Sequence, residues 1–60
     1  MEVNMKEIID MVAKYGTDIG AEKLGITKKE VLDFCRENLV RKERESWQKA
    51  CRRYKRENNE

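Results

Sequence analysis

The stretch Thr17–Phe34, TDIGAEKLGITKKEVLDF, decides the fold, and three of its positions carry most of the decision: Ala21, Gly25 and Val31. A small residue, a glycine and a branched aliphatic at this spacing suit two short helices that cross at a steep angle. Ala21 is small where the second helix passes close over the first. Gly25 frees the backbone where the first helix has to end, and Val31 points back into the angle between them. Leu24, Ile26 and Phe34 add apolar contacts at the offsets that crossing needs. Thr27, followed three residues on by Glu30, forms a capping box: the hydroxyl oxygen accepts the Glu30 N–H while the Glu30 carboxylate reaches back to Thr27. Ile26 and Val31 stand as a hydrophobic staple across the same cap, so a new helix begins at Lys28.

Upstream, Asn4 with Glu7 three residues on predicts a helix cap, and Met5, Ile8, Ile9 and Val12 recur at helical spacing until Tyr15 and Gly16 stop the run. Thr17 then caps the short helix that Gly25 closes. Downstream, no proline or glycine ends the helix that starts at Lys28. On a wheel of about 100° per residue, Val31, Phe34, Cys35 and Asn38 fall on one side and Lys29, Asp33, Arg36 and Val40 on the other. Continued unbroken, that wheel puts Trp47, Ala50, Cys51 and Tyr54 on the side of Lys29 and Arg36, away from the core. Either the chain turns between Asn38 and Ser46, each able to cap a helix end, and a fourth helix folds back, or the apolar stripe meets another molecule. The break is the favoured expectation, with the stripe used for packing or for dimerisation.

Composition narrows the function classes. Sixty residues allow one domain, which hides only about 60% of the surface its unfolded chain exposes. With 38% hydrophobic and 43% charged residues and no proline, the chain reads as soluble and mostly helical, with a thin core that a second copy would support. No run approaches the roughly 20 apolar residues that span a bilayer, and the N-terminus lacks a basic region followed by an apolar one, so no membrane and a cytoplasmic location are expected. Cys35 and Cys51 form no CxxC pair and there is no histidine, which predicts reduced thiols and no metal or cofactor. Cys35 reads as a small core residue and Cys51 as open to the surface. There is no Gly-rich phosphate loop and no serine or cysteine beside a base, and the carboxylates stand at salt-bridge spacing, so an enzyme is not expected.

The net charge of +2 conceals an uneven distribution. Residues 1–40 carry six basic and eight acidic side chains, whereas residues 41–60 carry eight basic and four acidic ones. Such asymmetry points to a polyanionic partner.

At Ala21, Gly25, Val31 and the Thr27–Glu30 cap, the chain resembles the helix-turn-helix family of DNA-binding domains. The likeness is to the homeodomain-like, tri-helical members of small bacterial and phage regulators, transposase N-termini and recombinase tails, and it covers about half the chain. The resulting expectation is an all-α fold: a tri-helical helix-turn-helix core plus a basic C-terminal helix. One domain spans 1–60, with helices at about 5–15, 18–24, 28–38 and 41–57 and ENNE fraying beyond Arg56. The resemblance implies a regulator of phage or mobile-element type, with the leading turn of the helix at Lys28 in the major groove of double-stranded DNA. Thr27, Lys28, Lys29, Asp33 and Arg36 are then the side chains that meet bases or phosphates. Arg36 is the candidate guanine reader, Asp33 either accepts from a cytosine or steadies Arg36, and Lys28 and Lys29 grip phosphate. Arg41, Lys42, Arg44, Arg52, Arg53, Lys55 and Arg56 supply sequence-independent attraction. A homodimer on a pseudo-palindrome is expected, with Val40, Trp47, Ala50, Cys51 and Tyr54 as the dimer or partner contact. The alternative is a protein-interaction module, an anti-regulator or adaptor, that uses the tail's aromatic stripe to bind another regulatory protein.

Overall fold

The structure, a computed structural model, describes residues 3–58. It is an all-α fold of three helices, α1 (Met5–Leu24), α2 (Lys28–Asn38) and α3 (Trp47–Glu57), with no strand among the described residues. Helix α1 starts on its expected cap: Asn4 Oδ1 accepts the Glu7 N–H at 2.9 Å, and Asn4 Nδ2 donates to the Glu7 carboxylate at 3.2 Å. The helical pattern stops at Gly16, whose φ of 93° and ψ of 178° lie where only glycine rests comfortably, and resumes at once. The helices expected at 5–15 and 18–24 are thus the two arms of α1, separated at Gly16 as expected.

The kink folds the second arm back on the first. A Cβ on Gly20 would stand 3.2 Å from the Met11 carbonyl oxygen and 3.3 Å from Val12 N, so Gly20 is the residue that lets the two arms touch. Ala21, beside it, is buried as expected. Gly25 then ends the element in the left-handed conformation, φ 75°. Its N–H donates to the Glu22 carbonyl and that of Ile26 to the Ala21 carbonyl, which is the Schellman closure.

Helix α2 follows after a three-residue turn, and both halves of its capping box are formed. Val31 and Cys35 are fully buried against Ile8, Ile9, Val12, Ala13 and Ala21 of α1, with Leu24, Ile26 and Phe34 packed around them. Met5, expected in this stripe, stands at its edge and is exposed. Leu39 leaves the helix in extended backbone and closes the core.

The C-terminal helix starts later than expected, at Trp47 rather than near Arg41. Residues 39–46 form a loop containing a turn from Lys42 to Glu45 with Arg44 at φ 66°, and Ser46 caps α3 through the Lys49 N–H at 3.1 Å. This break turns the stripe inward. Ala50 and Cys51 are buried in the chain's own core, and Trp47 and Tyr54 pack against it. The dimer or partner role expected of Ala50 and Cys51 is thereby corrected: no surface remains on either to meet a partner. Cys51 is also not open to the surface. Helix α3 runs through Glu57 with Asn58 as its C-cap, so fraying does not begin at Glu57; Asn59 and Glu60 lie outside the described residues.

Candidate nucleic-acid interface

The start of α2 presents its polar side chains outward because Val31 and Cys35 hold the opposite face in the core. Thr27, Lys28, Lys29 and Arg36 are exposed and Asp33 is half-buried. Thr27 spends its oxygen on the Glu30 N–H, 3.1 Å away, so its role is the cap. Lys28 Nζ lies 2.9 Å from an Asp18 carboxylate oxygen, and Arg36 Nη2 lies 3.0 Å from Asp33 Oδ1. Both pairs are wet: the side chains of Lys28 and Arg36 are 54% and 60% exposed. Pairs of this kind are worth about 0–1 kcal/mol, little enough for a phosphate or a base edge to displace.

The helix is charge-balanced as a whole, with Lys28, Lys29 and Arg36 against Glu30, Asp33 and Glu37. The cationic surface belongs to α3 and the loop before it. Helix α3 carries Lys49, Arg52, Arg53, Lys55 and Arg56 against Glu57.

These cations divide into two sets. Arg52 donates from Nε to the Ala13 carbonyl beside the kink at 2.9 Å, joined by Gln48 at 3.4 Å, and Lys55 reaches Asp10 at 3.0 Å. Arg53 is the most enclosed, its side chain 20% exposed. It donates through Nε and Nη2 to the two oxygens of Glu45, at 3.1 and 2.9 Å, and through Nη2 to the Val40 carbonyl at 2.6 Å. Glu45 also accepts the Lys42 N–H at 3.0 Å. Arg53 and that N–H hold the Glu45 carboxyl down to about 2, and the Glu45 carboxylate in turn pushes the Arg53 guanidinium further up. Arg52, Arg53 and Lys55 thus dock α3 onto α1 and the loop.

Among the described residues, no carboxylate lies within salt-bridge distance of Arg41, Lys42, Arg44, Lys49 or Arg56, which form the second set. Arg41 stacks over the Trp47 ring, 4.6 Å from its centroid. Lys49 was not among the residues singled out from the sequence; its place on the outer face of α3 becomes readable only once Ser46 is known to start that helix. Val40 is 83% exposed, the one residue of the expected dimer contact that stands fully outside.

Cys35 and Cys51 are free thiols buried as neighbours in the core. The Cys35 thiol beside it and burial push the Cys51 thiol up, while Cys51 draws the Cys35 thiol down. Among the described residues no group of three or more His, Cys, Asp or Glu side chains comes together, and no helix is long and apolar enough to cross a membrane. No protein-family model, curated protein or solved structure matches this chain.

Proposed function

We propose that this chain binds double-stranded DNA as a small regulator of phage or mobile-element type, with the leading turn of α2 in the major groove. The observation that carries the reading is the pairing of a three-residue turn, closed at Gly25 and reopened at Thr27, with an α2 whose outward face holds Lys28, Lys29, Asp33 and Arg36. Such a turn sets one helix across another, and the outward face of the second is then free to enter a groove about 12 Å wide. Arg36 reads, released from Asp33; Lys28 and Lys29 hold phosphate. Arg41, Lys42, Arg44, Lys49 and Arg56 supply the salt-sensitive attraction, while Arg52, Arg53 and Lys55 serve the fold. Two copies on a pseudo-palindromic site supply the affinity that one short helix lacks.

The protein-interaction alternative loses its main support, because the aromatic stripe meant for a partner packs against the chain's own core. Selection of binding sites from a random duplex library tests the proposal. The wild-type chain is expected to enrich a short motif, and Arg36→Ala to relax one position of it at a cost of about 1–3 kcal/mol. A library that emerges unenriched, with no retardation of random duplex at low salt, contradicts it.

A further inference from the structure

The loop between α2 and α3 is built around one enclosed ion pair. Leu39 is buried at its start and Ser46 caps α3 at its end, so the segment is anchored at both sides. Between them, the Lys42 carbonyl accepts the Glu45 N–H at 3.0 Å, and the Glu45 carboxylate accepts the Lys42 N–H at the same distance. The Arg53 guanidinium grips both Glu45 oxygens and the Val40 carbonyl, tying the turn and the residues before it to α3. Glu45 is spent inward, its side chain 11% exposed. What the loop turns outward is Arg41, Lys42 and Arg44 against Glu43 alone. Arg44 sits in left-handed backbone, a conformation a non-glycine residue keeps only when its surroundings hold it there.

From this we infer that residues 41–44 are a preformed phosphate-contacting loop, and that Arg53 and Glu45 are positioning residues that set it rather than contacts themselves. The inference rests on the DNA reading above and adds to it a surface and a division of labour among the arginines. Its occupant is the sugar–phosphate backbone of duplex DNA. The loop leaves α2 at Leu39, three residues beyond Arg36, and it offers three cations on a backbone held in place, Arg41 also stacked on Trp47, which lowers the ordering cost of the contacts.

Positioning and plain electrostatics predict opposite signs for one substitution. Glu45→Gln removes a negative charge, so a chain that binds by charge alone holds DNA more tightly after it. A loop that depends on the clasp loses its arrangement, and binding falls several-fold. The measurement is fluorescence anisotropy of a labelled random-sequence duplex, titrated with the full chain at several salt concentrations, with circular dichroism confirming helix content of each variant. Arg53→Lys keeps the charge and loses the two-pronged grip; it is expected to weaken binding several-fold with the salt slope unchanged. Lys42→Ala and Arg44→Ala leave the core alone, and each is expected to make the slope shallower by about 0.9. Unchanged or tighter binding by a folded Glu45→Gln chain overturns the inference while leaving the DNA reading in place. If that variant does not fold, unchanged slopes for both Lys42→Ala and Arg44→Ala overturn it in the same way. Absence of binding by the unaltered chain at low salt removes the DNA reading and the loop's role together.

Discussion

At Glu45 a single carboxylate joins the loop to α3, and its protonation undoes the joint. Its native value, about 2, lies below the ordinary 4.5 because Arg53 and then the Lys42 N–H favour the charged form. The stabilisation is therefore complete above the unfolded value near 4.5 and is lost as pH falls from there through about 2. Urea midpoints measured from pH 6 down to pH 2 are expected to drop across that window, and Glu45→Gln to flatten the drop. An unaltered acid limb in the variant would assign it to other carboxylates. Two glycines make the complementary case. Gly16→Ala is expected to cost about 1–3 kcal/mol, since its backbone lies where side chains are strained. Gly20→Ala gains about 1 kcal/mol of helix propensity but drives a methyl against the Met11 backbone, which cannot rotate away, so a net loss in urea midpoint is expected. Gly16 was legible as a stop because it ends an apolar run. Gly20 was not, because its reason is an approach between two arms whose angle no local spacing encodes. Glu45 and Arg53 stand eight residues apart across a loop and a helix, outside any periodic rule, and were equally invisible.

Helix α2 was the most legible element, since cap, staple and buried face agree within a dozen residues. Thr27→Ala removes the acceptor of the Glu30 N–H and is expected to cost about 1 kcal/mol in thermal or urea unfolding. Helix α3 was legible in kind but not in phase. A wheel carried on from Lys28 assumes continuous rotation, whereas eight non-helical residues from Leu39 to Ser46 reset it and turn Trp47, Ala50, Cys51 and Tyr54 inward. The signals for that reset, Asn38 and Ser46, were present. What they lacked was a way to fix where the helix resumes, because Arg41 to Glu45 has good helix formers throughout. The different packing changes what Trp47→Ala does. Half-buried, its ring contributes less than the about 3–5 kcal/mol of a fully enclosed aromatic, and a loss of about 2 kcal/mol is expected. Because the ring packs within one chain, that loss should be independent of protein concentration in melting experiments. A destabilisation that vanishes on dilution would return Trp47 to a seam between copies.

Over the whole molecule, charge is sorted by helix: α2 is balanced and α3 with its preceding loop is cationic. The sum along the chain foretold the second half of that statement. Which cations face solvent depends on docking through Asp10, Ala13 and Glu45, and only the folded chain reveals it. If four of Arg41, Lys42, Arg44, Lys49 and Arg56 each neutralise a phosphate, log affinity should fall against log salt with a slope of about −3.6. The proposed contact with DNA is tested most directly by following the backbone amide resonances of the isotope-labelled chain as a duplex is added at low salt. Shifts are expected to concentrate at residues 27–36 and 41–44, with the arm of α1 before Gly16 quiet. Silence throughout, or shifts gathered instead around Met5, Ile9 and Tyr54, would contradict it.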